Sequence, residues 1–358
     1  MILLTLASKQ IWPHLLTIAH LKPSQVWLLH SDDVFESRGP AQRLKRLLDA
    51  SELVPKGATR LASLPDSDFD GVEQRLDQIQ REEGLPFSDC AVSVTGGNKL
   101  MSTSAFRWAV RHARACYLDR RNQLTWFAAP DGRVKTHTEI IPGHLTDELD
   151  PVALLRCQLD ASEVHHHGQT LTLAASALSL PEGELSRRLQ QGQDARTWLS
   201  IAGQVRGEPN EGDALEFSTA LVLLKLGVHR VQRGLHLKVR SAGGVATRNP
   251  HAEIDLIFTW GGRLWLVDCK DRKSTDSLVE ALRRELPRLN PEASALLDRI
   301  QKELSIGQTK ALKEDLLAVR EAGGLLGNIV CVRKSDLPEE VAQFAPHSHI
   351  QLVGKNNL

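Results

Sequence analysis

The chain lacks the features that most readily assign a protein by composition. Its five cysteines, Cys90, Cys116, Cys157, Cys269 and Cys331, form no CxxC pair. Neither a zinc ribbon nor a disulfide framework is therefore indicated, and a reducing cytoplasm is the expected compartment. Lys plus Arg and Asp plus Glu stand at 44 each, for a formal net charge of +0. The molecule as a whole does not advertise a polyanion partner, so any nucleic-acid contact has to come from a local basic surface. No stretch approaches the roughly 18 apolar residues of a membrane span. The opening apolar run is short, ends at Lys9 and has no basic leader ahead of it, so a soluble, non-exported protein is expected. No internal repeat or low-complexity tract is present.

What is there is a globular mixture, 41% hydrophobic and 25% charged over 358 residues, with material for two cores. Residues 1–145 alternate short apolar runs with helical patterns: Ile2 to Ala7, Ile11 to His20, Val26 to Leu29, Ala41 to Ala50. Strand, helix, strand, helix predicts an α/β domain with a parallel sheet covered on both faces. A further strand, Cys90 to Val94, runs into Thr95-Gly96-Gly97-Asn98-Lys99 and a helix-compatible stretch from about Leu100 to Ala115. Asn122 to Pro142 reads as strands and turns, with Pro130-Asp131-Gly132 as a hairpin turn.

Residues 146–205 read as a helical connector containing His165-His166-His167. Three consecutive residues cannot all face one ion, so a solvated loop is preferred there over a zinc site. A second globular domain, residues 206–358, shows a helix over Asp213 to Leu226, strands around Val228 to Val239, a hairpin from Glu253 to Lys270, helices from about Thr275 to Glu321 and a last strand at Gly327 to Arg333.

The hairpin carries the strongest chemical signal. Gly261-Gly262 between two apolar runs predicts a two-residue turn, which sets Asp255 opposite Asp268 and Glu253 opposite Lys270. Opposed side chains have Cβ atoms roughly 4.5–5.5 Å apart, so four ionisable groups would converge. Two facing carboxylates need a positive charge between them, and hard oxygen donors suit Mg²⁺ or Mn²⁺. Ile254, Leu256, Phe258, Trp265 and Val267 are expected on the opposite, buried face. The alternative is a salt-bridged ladder of Glu253 with Lys270 in which Asp255 caps a turn.

Glu253-Ile254-Asp255 followed by Asp268-Cys269-Lys270 resembles the PD-(D/E)xK nuclease superfamily. The resemblance implies metal binding by Asp255, Asp268 and the carbonyl of Cys269, with Lys270 positioning the attacking water. Glu216 matches the glutamate that such nucleases often carry on the first helix of the domain. It also fits a capping box with Asp213, and the two roles are compatible. Arg272, Lys273, Arg283, Arg284 and Arg288 could grip a nucleic-acid backbone, although interleaved acids make an ordinary solvated helix face an equal reading. Gly243, Gly244 and Arg248 precede the hairpin as a loop.

The loop Thr95-Gly96-Gly97-Asn98-Lys99-Leu100-Met101 stands where a strand hands over to a helix, the place where open α/β sheets bind ligands. Its glycines permit close backbone approach, and the helix amides and Lys99 suit a phosphate. A structural tight turn is the competing reading. Ser8 and Gln10 after the first strand, and Ser31 and Asp32 after the second, are candidate contacts at the same edge. The whole arrangement, a Rossmann-like domain with T-G-G-x-K-x-M joined through a connector to a PD-(D/E)xK domain, resembles the ancillary nucleases of type III CRISPR systems whose CARF domain senses cyclic oligoadenylate. That resemblance implies a homodimer with cyclic tetra-adenylate on its two-fold axis. It also implies cleavage of single-stranded RNA, DNA or both, and admits nicking of duplex DNA. Asn98 stands where the family often has another small polar residue, which leaves ring size and degradation of the messenger open. The rival readings are a ligand-independent repair or restriction nuclease and a catalytically inactive nucleic-acid-binding regulator.

Overall fold

A computed structural model describes residues 1–129, 132–159, 163–166, 170–171, 214–225, 227–238, 252–270, 291–323, 327–333 and 339–353. These form a mixed α/β structure built on two sheets. In the first half the elements run β1 (Ile2–Leu6), α1 (Trp12–Leu21), β2 (Gln25–His30), α2 (Gly39–Ala50), β3 (Thr59–Ser63), α3 (Phe69–Glu83), β4 (Cys90–Ser93), α4 (Lys99–His112), β5 (Ala115–Leu118), β6 (Gln123–Ala128) and β7 (Lys135–Ile140). The short apolar runs become central strands because both faces are covered by helices.

The first sheet has the order β3-β2-β1-β4-β5-β6-β7. Strands β1 to β5 are parallel, while β6 and β7 close it as an antiparallel hairpin. From β1 the chain builds outward on one side to β2 and β3, then returns to place β4 on the other side. The loops leaving β1 and β4 therefore diverge over opposite sides of the sheet and open a crevice between their strand ends. Leu3, Leu6, Leu28, Val92 and Trp108 are among the fully buried side chains around this point. Each such apolar side chain contributes roughly 1.5–3 kcal/mol on burial.

The remaining elements are α5 (Pro151–Gln158), β8 (Glu163–His166), β9 (Thr170–Leu171), α6 (Ala214–Lys225), β10 (Val231–Lys238), β11 (Ala252–Trp260), β12 (Arg263–Lys270), α7 (Pro291–Gly323), β13 (Gly327–Arg333), α8 (Glu339–His347) and β14 (Ile350–Val353). The second sheet has the order β14-β13-β12-β11-β10-β8, with β9 also on β10. Residues 146–205 are thus not wholly a helical connector: α5 is the described helix, and β8 and β9 belong to the second sheet. His165 pairs with His236 and His166 with Leu235 in an antiparallel ladder, so the backbone at these two histidines is a strand and not the expected loop. Pairing with a strand so distant in sequence leaves no local signature. His167 lies outside the described residues.

One apolar cluster joins the two halves, from Leu3, Trp12 and Leu28 through Val152 and Leu155 of α5 to Ile257, Leu264 and Leu266 of the β11–β12 hairpin. A second cluster covers the other face of that hairpin, where Leu256, Phe258, Trp265 and Val267 meet Leu223 and Leu224 of α6. Among the described residues, no helix is long and apolar enough to cross a membrane.

Candidate functional site

The β11–β12 hairpin has the expected register from Leu256 to Trp260, but the ladder does not extend to the expected pairs of Asp255 with Asp268 and Glu253 with Lys270. Leu256 pairs with Val267, and the ladder runs regularly to Trp260 opposite Arg263. Gly261 and Gly262 have φ of 59° and 72°, the left-handed pair that a tight two-residue hairpin turn requires. The turn is also held from outside. Gly262 N donates to Asp147 Oδ1 at 3.3 Å, and Thr259 Oγ1 donates to the Asp147 carbonyl at 2.7 Å. Burial raises the Asp147 carboxyl above its ordinary value, and hydrogen bonds from Gly261 and Gly262 partly offset that.

At the far end of the hairpin the two aspartates are nearly inaccessible, Asp255 at 5% and Asp268 at 1% exposure. Beyond Leu256 the strand pairing gives way to a side-chain contact: Cys269 N donates to Asp255 Oδ2 at 2.5 Å. The Asp255 carboxylate is thereby fixed against the main chain of the residue that follows Asp268. On the neighbouring strand, Cys331 pairs with Asp268, and its Sγ donates to Asp268 Oδ2 at 3.9 Å. Burial, and then the carboxylates of Asp255, Asp268 and Glu216, push the Cys269 thiol well above its ordinary value. Acids on three elements, Asp255 of β11, Asp268 of β12 and Glu216 of α6, therefore act electrostatically on residue 269.

The other sequence candidates separate. Glu216 lies on α6 with its carboxylate 3.3 Å from Arg233 Nη2 of β10; its proposed capping partner Asp213 is outside the described residues. Glu253 is exposed, 3.9 Å from His236 Nε2, and is not buried with the aspartates. The side chain of Lys270, and Gly243, Gly244, Arg248, Arg272, Lys273, Arg283, Arg284 and Arg288, lie outside the described residues. Ile254 does not share the face of Leu256 and Phe258: it joins the other core, with Leu235. The cause is Gly234, whose φ of 64° breaks the β10–β11 ladder opposite Asp255, as glycine does at a local strand distortion. Among the described residues, no group of three or more His, Cys, Asp and Glu side chains is placed to hold a metal ion.

In the first half, the Thr95–Met101 loop crosses the carboxyl end of β1. A Cβ on Gly96 would lie 1.9 Å from the Leu6 carbonyl oxygen and 3.0 Å from His14 Cε1, and Gly97 has a φ of 75°. Both glycines are thus demanded by the turn itself. Asn98 caps α4, its Oδ1 accepting from Met101 N at 2.8 Å, while its Nδ2 donates to the Asp66 carbonyl at 2.9 Å. Thr95 Oγ1 accepts from Leu118 N at 2.9 Å. The Met101 side chain is in the core, so the structure assigns it packing and not a surface for ligand. Lys99 and Gly97 are exposed at the crevice.

Ser8 and Gln10 flank the adjoining loop, where Lys9 is paired with Glu36. Ser31 is buried and its N donates to Ser37 Oγ, while exposed Asp32 accepts from Ser63 Oγ at 3.0 Å. Sequence reasoning missed His14, which lies beneath the loop with Nδ1 2.8 Å from Thr5 Oγ1. Burial lowers His14 to about 4. It also missed Asp147. Neither residue belongs to a motif, and both act through contacts that only the tertiary fold creates.

No family model and no curated protein matches this chain. Among solved structures its fold is similar to Can2 from Sulfobacillus thermosulfidooxidans in complex with cyclic tetra-adenylate, at 14% identity and a TM-score of 0.52, over 98% of this chain and 94% of that one. It is also similar to protein VC1899 from Vibrio cholerae, at 12% identity and a TM-score of 0.54, over 99% and 93%. A third likeness is to a type III CRISPR defence DNA nuclease activated by cyclic oligoadenylate, at 18% identity and a TM-score of 0.50, over 94% of this chain and 46% of that longer one. At these identities the likeness is one of fold.

Proposed function

We propose that this protein is a metal-dependent endonuclease of type III CRISPR defence, switched on by cyclic oligoadenylate and most specifically by cyclic tetra-adenylate. In this reading residues 1–145 are a CARF-like sensor and the second sheet carries a PD-(D/E)xK nuclease site. The observation that carries it is the presence of two candidate sites in one chain: a glycine-built loop over the sheet crevice, and two buried aspartates of neighbouring strands, Asp255 bonded to Cys269 N and Asp268 directly preceding Cys269. The fold likeness to Can2 along nearly the whole length supports the combination.

Asp255, Asp268 and the carbonyl of Cys269 are hard oxygen donors and fit Mg²⁺ or Mn²⁺. When bound, such an ion would lower the pKa of the attacking water and offset charge on the scissile phosphate. The chain's own groups do the positioning. Cys269 N fixes Asp255, the Cys331 thiol contacts Asp268, and Lys270 would stand beside the phosphate as a cation. At the sensor, Lys99, Ser8, Gln10, Thr95 and the main chain at Gly96 and Gly97 would contact the messenger, with Ser31 and Asp32 further along the same edge. Two copies of the chain would enclose one ring, and its binding would set both nuclease sites for single-stranded RNA or DNA, or for nicking of duplex DNA. Titration of the protein with Mn²⁺ and Mg²⁺ while cleavage of labelled RNA and single-stranded DNA is followed, at saturating cyclic tetra-adenylate, tests the reading. Metal-dependent cutting abolished by Asp268→Asn supports it; cutting in EDTA refutes it.

A further inference from the structure

Next to Gln10 and Thr95 lies a cavity of about 190 Å³, lined also by Trp12, Tyr117, Arg120 and Arg263. Its volume is far above the roughly 10–15 Å³ that admits one water. Two arginines from different halves of the molecule meet here. Arg120 comes from the turn between β5 and β6, and Arg263 is the first residue of β12. Arg263 Nη2 donates to the Arg120 carbonyl. Burial, followed by the like charge of Arg120, lowers the Arg263 guanidinium from its ordinary value, and the Asp119 carboxylate only partly offsets this. Asp119 also reaches the cavity, but its Oδ1 already accepts from Arg121 N and Gln123 N at 2.8 Å. A half-buried guanidinium beside a second one is costly unless an anion joins them, and planar arginine donors match phosphate oxygens in pairs.

We propose that this cavity is a phosphate subsite in which Arg120 and Arg263 receive a phosphodiester of the messenger, so that the messenger touches the catalytic hairpin itself. This assignment rests on the sensor function proposed above. Arg263 and Asp268 stand on one strand, five residues or about 17 Å apart at the usual rise. That strand is central and apolar on both faces, so a shift at its first residue is carried along its length. Asp147 and the Gly261-Gly262 turn hold the same end of the hairpin, which makes it the place where an anion bound in the first half would act on the second.

The test uses the full chain with two probes, inorganic phosphate and cyclic tetra-adenylate, and the variants Arg263→Gln and Arg120→Gln. Because Arg120 is exposed, its replacement leaves the fold intact. Phosphate is expected to raise the unfolding temperature of the parent protein and of neither variant. Messenger affinity is expected to fall about tenfold in each, the size of one lost charge-assisted hydrogen bond. Arg263→Lys is expected to recover part of the loss. A phosphate effect lost in the variants, in a parent that ignores cyclic tetra-adenylate, supports the subsite and refutes the sensor function. A phosphate effect that survives both replacements, no phosphate effect in the parent, or, where the parent binds the messenger, equal messenger affinity in parent and variants overturns the subsite.

Discussion

Replacing Gly96 with alanine probes the crevice at its tightest point. The added carbon would sit 1.9 Å from the Leu6 carbonyl oxygen, a main-chain atom of β1 that no side-chain rotation can move aside. Real Cβ atoms essentially never approach closer than 3.0 Å, so the loop and strand must part by about 1 Å. Forced overpacking of this kind costs about 1–3 kcal/mol. At about 2–4 °C per kcal/mol for a unit of 150–250 residues, the unfolding temperature should fall by about 2–12 °C. The neighbouring Gly97→Ala is the control: its φ of 75° imposes a left-handed residue, at about 1–2 kcal/mol, but its nearest neighbours are atoms of the Leu6 side chain. Thermal unfolding and equilibrium binding of cyclic tetra-adenylate are measured for both. Under the proposed function Gly96→Ala should be the more damaging to binding, because it displaces the main chain of the loop proposed to hold the messenger. A Gly96→Ala protein with parental stability and parental affinity would refute the reasoning.

Three further outcomes follow from the geometry. Asp255→Ala removes the acceptor of Cys269 N and should cost about 1.5–3 kcal/mol in denaturant unfolding. Asp255→Asn keeps an acceptor, so it should lose metal-dependent activity with a smaller stability loss; equal stability of the two variants would count against the hydrogen bond. His14 is buried and lowered from 6.5 to about 4, so the unfolded chain takes up a proton that the folded one refuses. Stability should therefore decline as pH falls from about 6.5 towards 4, by roughly 3 kcal/mol in all, and a His14→Gln protein should show a shallower decline. Because burial raises Asp147, its charge opposes folding as pH rises through the raised value, so Asp147→Asn should be stabilised relative to the parent at pH 8 and not at pH 4. Chemical denaturation at the two pH values checks this.

The parts of the fold legible in the sequence were those with local causes. Gly261-Gly262 marks its own turn because only glycine takes two left-handed residues cheaply, and the turn fixes the register from Leu256 opposite Val267 to Trp260 opposite Arg263. The buried runs of β1, β2 and β4 stand out because strands covered on both faces are apolar throughout. Strand β3 escaped because Thr59–Ser63 is a half-exposed edge strand with Arg60 in it. Strands β8 and β9, the exposure of Glu253 and the side taken by Ile254 depend on pairing with β10 and on the break at Gly234. In the Thr95–Met101 loop the glycines were legible, but their reasons were not: Gly96 is set by the Leu6 carbonyl, Asn98 caps α4 and the Met101 side chain packs in the core.

The proposed function couples a messenger site to a metal-dependent cutting site within one chain. Its most direct test is the initial rate of cleavage of labelled single-stranded RNA and DNA in Mn²⁺, with and without cyclic tetra-adenylate, for the parent and for Asp268→Asn. The account predicts cleavage that rises steeply with the messenger in the parent and is absent in the variant. A rate that is the same with and without messenger, or that survives Asp268→Asn, would contradict it.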